Sequence, residues 1–132
     1  MGKNQQRPIL ITGAGRRIGL ALARHFLNQL QPVIVSYRTR YASVDELEAA
    51  GATCIAADFS TPAGVEAFAE QVKARAGGLR AVLHNASAWV PEKPGAVLAE
   101  VMQQMMQIHV TAPYLLNHAL EPLLRGHGHA AA

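Results

Sequence analysis

The sequence lacks the features of disulfide-stabilised, membrane-spanning and zinc-ribbon proteins. Its 132 residues include one cysteine, Cys54, which excludes a disulfide framework and a four-cysteine zinc site. Its uninterrupted apolar runs are only a few residues long, so we expect no membrane span. The polar N-terminus lacks the apolar region of a signal peptide. We expect one domain over residues 1–132, a cytoplasmic location, and no metal site, because the histidines His118, His127 and His129 do not form a ligand set.

Acidic residues are absent from the first third of the chain. Residues 1–44 carry seven lysines and arginines, and the first acid is Asp45. This segment, whose charged residues are all basic, indicates an anionic partner, either a nucleic acid or a nucleotide with several phosphates. The basic residues are single or paired, and aromatic residues make up only 5% of the chain, which disfavours a protein that stacks on single strands. We therefore expect a nucleotide partner, and neither a nucleic acid nor a membrane.

Short apolar segments alternate with segments of helical periodicity. Strands are predicted at residues 8–12, 32–37, 52–57 and 80–84, and helices at 16–30, 43–50, 61–76 and 96–124. Ser43 and Glu46 predict a capping box, Ser60 or Thr61 a second helix cap, and Pro113 a bend in the last helix. The alternation is typical of an α/β fold, a doubly wound, Rossmann-like parallel sheet. The tail after residue 125 shows no periodicity, so this sheet is predicted to be incomplete, with an open edge beyond its fourth strand.

The turn after the first predicted strand has the pattern of an anion-binding loop. It reads Thr12-Gly13-Ala14-Gly15-Arg16-Arg17-Ile18-Gly19 and opens a helix. The free N–H groups and the positive dipole end of such a helix attract a phosphate. The last glycine comes one residue later than in Gly-x-Gly-x-x-Gly, and no Gly-Lys-Ser/Thr follows, so the turn is not a P-loop. A glycine turn that merely packs well remains the alternative.

The end of the second predicted strand favours NADP(H) over NAD(H). An acid at this place would bind a ribose 2′-hydroxyl, whereas a basic residue suits a 2′-phosphate. The sequence has Ser36-Tyr37-Arg38-Thr39-Arg40 and no acid. Arg38 with Ser36 or Thr39 offers a charge-assisted grip on that phosphate. The alternative is that Arg38 and Arg40 are two solvated loop arginines.

These residues and two later motifs resemble the short-chain dehydrogenase/reductase family over residues 8–125. The turn from Thr12 to Gly19 is similar to the family's Thr-Gly-x-x-x-Gly-x-Gly turn. The segment Ala57-Asp58-Phe59-Ser60 is similar to the family segment whose Asp contacts adenine. The segment His84-Asn85-Ala86-Ser87 is similar to the family's Asn-Asn-Ala-Gly motif, which lies along the nicotinamide ribose. Asp58 could alternatively be only a turn residue. The resemblance implies an NADP(H) site that is formed by Gly13, Arg16, Arg17, Ile18, Gly19, Ser36, Tyr37, Arg38, Thr39, Asp58, Phe59, Asn85, Ala86 and Ser87.

Three departures from the family pattern resemble its pteridine reductase branch. Arg17 replaces the middle glycine of the turn, Ser87 replaces the last glycine of the fourth-strand motif, and Trp89 follows. The resemblance implies reduction of a dihydropterin, with Arg17, Ser87 and Trp89 contacting the substrate. Dihydromonapterin, dihydrofolate and dihydrobiopterin stay open as substrates. The alternatives are that Ser87 only caps the loop and that Trp89 packs between Pro91 and the following helix.

The sequence does not contain the proton donor that the resemblance implies, a Tyr with a Lys four residues later. Tyr37, Tyr41 and Tyr114 are followed at that spacing by Tyr41, Asp45 and His118. We therefore expect the N-terminal part of a longer reductase that forms tetramers; a stand-alone NADP-binding module without turnover is the alternative. His109 falls where many family members have an active-site Asn, and His84 is interpreted as a packed residue. No catalytic residue is assigned.

Overall fold

The fold is a five-stranded parallel sheet with helices on both faces, as the computed structural model of residues 7–89, 91, 93–125 and 129–131 shows. Its strands lie in the order β3-β2-β1-β4-β5. They are β1 (Ile9–Ile11), β2 (Val33–Tyr37), β3 (Thr53–Ala56), β4 (Ala81–Leu83) and β5 (His129–Ala131). The helices are α1 (Arg17–Asn28), α2 (Ala42–Ala49), α3 (Pro62–Arg75), α4 (Leu98–Met106) and α5 (Ala112–Leu124). The predicted doubly wound α/β class is confirmed.

Two hydrophobic clusters cover the two faces of the sheet. Leu10 faces a cluster formed with α3 and α5, whereas its neighbours Ile9 and Ile11 face a cluster with α1 and α2. Successive strand residues point to opposite faces, so a strand that is buried on both sides must be apolar throughout. This is why the short continuous apolar runs of the sequence became the central strands.

Helix ends follow local sequence signals in α3 but not in α2. Thr61 caps α3, and its hydroxyl accepts a hydrogen bond from the backbone N–H of Gly64 at 3.1 Å. The capping box predicted at Ser43 is wrong: α2 begins at Ala42 without a side-chain cap. The Ser43 hydroxyl instead donates to the carbonyl of Gly15 at 2.5 Å, because the fold places the glycine turn beside the start of α2.

The prediction of an open edge beyond β4 is also wrong. β5 pairs in parallel with β4, with the Cα of Ala81 opposite that of His129 and the Cα of Leu83 opposite that of Ala131. Backbone pairing needs no apolar periodicity, which is why the composition of the tail did not reveal this strand. His127 lies outside the described residues.

The predicted long helix at 96–124 is divided by a wide turn. A π-helical segment, Gln107–Thr111, joins α4 to α5 directly, and the backbone N–H of Ala112 bonds to the carbonyl of Gln107, five residues earlier. Pro113 cannot donate to the carbonyl four residues before it, and its ring would collide with that group in a regular helix. The proline predicted to bend the helix thus accounts for the π turn that precedes it.

Candidate nucleotide-binding site

A cleft of about 550 Å³ lies at the carboxyl ends of the central strands. The order of the strands reverses at β1, which has β2 on one side and β4 on the other. Ligands of open α/β sheets bind at such a switch point. The residues that line the cleft are Gly13, Gly15, Arg16, Arg17, Ile18, Ser36, Tyr37, Arg38, Thr39, Tyr41, Ala57, Asp58, Phe59, Ser60, Asn85, Ala86, Ser87, Ala88, Trp89 and Ile108.

The cleft brings together the residues predicted for cofactor and substrate, with Gly19 as the one exception. They come from four separate stretches of the chain, the carboxyl end of β2 with the loop after it and the segments that follow β1, β3 and β4. Their contacts with a ligand stay predictions. Tyr41 and Ile108 also line the cleft and were not singled out in the sequence, since neither belongs to a motif.

Buried hydroxyl groups fix the glycine turn. Thr12 and Ser36 are each 2% exposed. The Thr12 hydroxyl accepts hydrogen bonds from the backbone N–H groups of Asn85 and Ala86, both at 3.0 Å. The Ser36 hydroxyl accepts one from the N–H of Gly13 at 2.9 Å. The loops after β1, β2 and β4 are thereby held in one arrangement.

At Gly13 and Gly19, neighbouring atoms lie so close to the backbone that a side chain would not fit. Gly13 has φ +70°, and a Cβ there would lie 2.7 Å from the Cα of Ala86. A Cβ on Gly19 would overlap the carbonyl oxygen of Gly13 and would lie 2.6 Å from Nδ2 of Asn85. That amide nitrogen donates to the Gly13 carbonyl at 3.0 Å. Gly19 therefore acts behind the cleft, by letting α1 approach the turn.

The start of α1 is suited to an anion. Arg16, at its N-cap, gives no side-chain cap, and the first turn contains no acid. The N–H groups of this turn are therefore not capped by a side chain. Arg17 adopts φ +55°, which explains why the family pattern has a glycine at its position. A non-glycine residue in this region costs about 1–2 kcal/mol.

The two arginines after β2 differ in their partners. Arg40 forms ion pairs with Asp45 at 2.7 Å and with Glu48 at 2.6 Å, and it donates to the Tyr37 hydroxyl at 3.0 Å. The hydrogen bonds that Arg40 donates to Glu48, Tyr37 and Asp45 raise its pKa above the ordinary value. Arg38 lines the cleft, and the described residues form no ion pair with it. Arg38 is therefore the arginine available to a ligand.

Arg16 rests on an aromatic ring at the same end of the cleft. Its guanidinium carbon lies 4.7 Å from the centroid of Tyr41. A cation above the face of an aromatic ring is attracted by the negative charge of that face. Together with the bond from Ser43 to Gly15, this contact joins the glycine turn to the beginning of α2.

Asp58 and Phe59 close the cleft after β3. Asp58 accepts a hydrogen bond from the backbone N–H of Ser60 at 2.9 Å. Hydrogen bonds from the side chain and the backbone of Ser60 lower the pKa of Asp58, so the cleft wall carries a carboxylate. The ring of Phe59 is buried and contacts Phe68 edge to face, with the centroids 5.3 Å apart. Asp58 thus holds its turn and faces the cleft at once.

The other end of the cleft carries Ser87 and Trp89. Ser87 Oγ lies 3.0 Å from Nε2 of His109 in the π segment. Trp89 is 81% exposed, which argues against a role as a packed loop residue. His84 instead contacts Asn117, with Nε2 2.7 Å from Oδ1, which agrees with its interpretation as a packed residue.

Cys54 and the metal-binding residue types contribute no chemistry among the described residues. Burial raises the pKa of Cys54 to about 11, so its thiol is unreactive near neutral pH. No group of three or more histidine, cysteine or acidic residues that could hold a metal ion occurs in the described parts of the chain. No helix among those residues is long and apolar enough to cross a membrane.

The sequence is similar to curated enzymes over its whole length. It is 71% identical to the dihydromonapterin reductase of Citrobacter koseri over 131 residues, which is 99% of this chain and 55% of that protein. It is also 71% identical to the dihydromonapterin reductase of Escherichia coli K12 over all 132 residues, again 55% of the relative. The chain therefore spans about half the length of the curated relatives it matches.

Solved structures share the fold. A metagenomic short-chain oxidoreductase in complex with NADP has a TM-score of 0.82 at 28% identity, covering 98% of this chain and 61% of that one. The RhlG/NADP complex of Pseudomonas aeruginosa has a TM-score of 0.78 at 28% identity, covering 90% and 48%. The family model described as short chain dehydrogenase matches residues 7–131. With this match and the glycine turn at the switch point of the sheet, the chain belongs to the short-chain dehydrogenase family.

Proposed function

We propose that the chain forms the NADP(H)-binding part of a cytoplasmic, NADPH-dependent dihydropterin reductase. The reaction would convert dihydromonapterin to its tetrahydro form, with dihydrofolate as a further substrate. One observation carries the proposal. In one cleft, the glycine turn follows β1, Arg38 follows β2 on one side, and Ser87 and the exposed Trp89 follow β4 on the other. The names of the relatives at 71% identity support the choice of substrate.

The residues present fit a phosphorylated dinucleotide. The uncapped start of α1 and the glycine turn would hold the pyrophosphate. Arg38, which has no ion pair with the described residues, would bind the 2′-phosphate, and Arg16 lines the same cleft over the Tyr41 ring. Asp58 would contact the adenine, and Asn85 and Ala86 would lie along the nicotinamide ribose. The end of β2 carries no acid that would repel the 2′-phosphate.

A flat heteroaromatic substrate fits the other end. Trp89 offers an exposed aromatic face, and Arg17 and Ser87 offer polar groups beside it. When bound, NADPH supplies the hydride. The chain's own residues hold and orient the two rings. None of its tyrosines has a lysine four residues later, so we infer that the proton comes from a residue outside these 132 or from a water held nearby.

We also infer that the enzyme is a homotetramer. Its subunits would contact one another through the exposed face of α4 and α5. Exposed apolar side chains recur every four residues from α4 to α5, namely Leu98, Met102, Met106, Val110 and Tyr114. A contiguous apolar patch of this kind is rare on a monomer and typical of a contact between proteins. A second copy of the chain would cover it.

Two measurements test the proposal. Titration of the chain with NADPH and NADH should show binding of NADPH at least tenfold tighter, because a charge-assisted bond to the 2′-phosphate contributes about 1.5–3 kcal/mol. A protein with the full length of the relatives should consume NADPH in the presence of dihydromonapterin. If no pterin is turned over, the proposed substrate is rejected. NADPH binding without any turnover would favour the alternative, a binding module.

A further inference from the structure

His109 has a defined tautomer in the hydrogen-bond network. Its Nδ1 lies 2.9 Å from the backbone carbonyl oxygen of Met105. A carbonyl oxygen only accepts hydrogen bonds, so Nδ1 must carry the proton of the neutral ring. The Nε2 atom then has a lone pair and no hydrogen, and it can only accept. Since Nε2 lies 3.0 Å from Ser87 Oγ, the Ser87 hydroxyl is the donor of that bond.

A serine hydroxyl has one proton to donate and two lone pairs that accept. In this arrangement Ser87 has used its proton on His109, and only lone pairs remain for a ligand in the cleft. We propose that His109 is a positioning residue that fixes Ser87 as a hydrogen-bond acceptor towards the cleft. The ligand group that faces Ser87 is then an N–H or O–H donor, such as the N–H edge of an aminopyrimidine ring. This proposal rests on the proposed function.

The fold holds His109 in place behind Ser87. His109 lies in the π segment, whose wide turn precedes Pro113 in the first turn of α5. The same segment is tied to the β3–α3 turn, because Gln107 Nε2 donates to the carbonyl of Phe59 at 3.2 Å. His109 itself does not line the cleft, whereas Ser87 does. His109 therefore acts through Ser87 and does not touch the substrate.

The reversed arrangement is unfavourable. If Nε2 carried the proton, Nδ1 and the Met105 carbonyl would set two lone pairs against each other at 2.9 Å. The Ser87 hydroxyl would then be free to donate its proton to the ligand. The two tautomers thus present opposite hydrogen-bonding groups to the cleft. With Nδ1–H, Ser87 accepts from a ligand N–H; with Nε2–H, Ser87 donates to a ligand carbonyl.

The tautomer can be measured directly in the 132-residue chain. Long-range proton–nitrogen correlation spectra of uniformly labelled protein, recorded at mildly basic pH, distinguish the two ring nitrogens of a neutral histidine. We expect His109 to be in the Nδ1–H form. The Nε2–H form, or an even mixture of the two, would overturn the proposal. This readout does not depend on cofactor or substrate, so it stays decisive if the proposed function fails.

Ligand affinity tests the role of the pair. Dihydromonapterin is titrated into a protein with the full length of the relatives, saturated with NADP. We expect Ser87→Ala and His109→Leu each to weaken its binding by about tenfold, and the double variant to be no weaker than Ser87→Ala alone. His109→Gln, which can place an amide oxygen at a similar reach, should restore part of the affinity. His25→Leu, an exposed histidine on α1, is the matched control and should change nothing.

The outcomes separate the two proposals. Additive losses in the double variant, or a Ser87→Ala loss without a His109→Leu loss, would refute the coupling between the residues. A protein with the full length of the relatives that binds NADP but no dihydropterin would reject the proposed substrate, and with it the ligand assigned to Ser87. In that case the Nδ1–H tautomer would still establish that His109 directs the Ser87 hydroxyl.

Discussion

The hydroxyl oxygen of Thr12 lies 3.0 Å from the backbone nitrogen of Asn85, and this bond ties the glycine turn to the loop after β4. Thr12 is buried, and the N–H of Ala86 bonds to the same oxygen. Two halves of the cleft that are more than 70 residues apart in sequence are thereby held together by one side chain. The cleft is preorganised for its ligand by the protein alone.

Loss of this oxygen should loosen the cleft. Thr12→Val keeps the shape of the side chain but leaves two backbone N–H groups without an acceptor. We expect the free energy of unfolding to fall by about 1–3 kcal/mol, measured by chemical denaturation, and NADPH affinity to fall with it. Thr12→Ser keeps the hydroxyl and should lie close to wild type. A loss in Thr12→Ser without a loss in Thr12→Val would show that the methyl group, not the bond, matters.

Replacing Arg17 by glycine should increase the stability of the protein and weaken its binding of NADPH. Its φ of +55° is strained for a side chain, and glycine removes that strain. Arg17→Gly should raise the free energy of unfolding by up to about 1 kcal/mol and weaken NADPH binding. Leu30 has φ +62° and is 90% exposed outside the cleft, so Leu30→Gly is the matched control. It should give the same gain in denaturation experiments without any change in NADPH affinity.

Alanine substitutions at Arg38 and Arg40 should have different effects on cofactor affinity. Arg38→Ala should weaken NADPH binding by tenfold or more, since a bond to a charged phosphate contributes about 1.5–3 kcal/mol, and should leave NADH binding nearly unchanged. Arg40→Ala should leave both affinities close to wild type, because that guanidinium already pairs with Asp45 and Glu48. An equal loss for NADPH and NADH in Arg38→Ala would place Arg38 elsewhere than at the 2′-phosphate.

Gly15 and Gly19 should respond differently to alanine. A Cβ on Gly15 would come no nearer than 3.5 Å to its surroundings, the Tyr41 ring, so Gly15→Ala should fold with an unchanged melting temperature. It should still weaken NADPH binding, because the methyl group would stand where the pyrophosphate approaches the backbone. Gly19→Ala would collide with the turn itself and should lower the melting temperature. A stable Gly19→Ala variant would contradict the close approach.

The apolar face of the last helices should control assembly. Met102 is 62% exposed on α4 in the single chain. Met102→Lys should shift the protein to a smaller assembly in light scattering, because a buried lysine would be unpaired in the contact. Glu121→Lys, on the exposed part of α5, is the control and should leave the mass unchanged. A wild-type chain that is monomeric at all concentrations would contradict the proposed contact.

The strands and the glycine turn could be read from the sequence because their signals are local. A strand buried on both faces must be apolar, and a turn with positive φ needs glycine at Gly13. Ser43 shows the limit of local reasoning. Its spacing to Glu46 fits a capping box, yet its hydroxyl bonds to Gly15, a partner 28 positions away that only folding brings near.

The family resemblance supplied most of the residues that line the cleft. The sequence alone determined the α/β class, the parallel sheet and the glycine turn after β1. It did so because apolar periodicity and turn chemistry act over a few neighbouring residues. Only the tertiary structure decided that β5 pairs beside β4, that Arg40 forms ion pairs while no described residue pairs with Arg38, and that His109 contacts Ser87. Those facts depend on backbone pairing and side-chain contacts between distant segments, which no local pattern encodes.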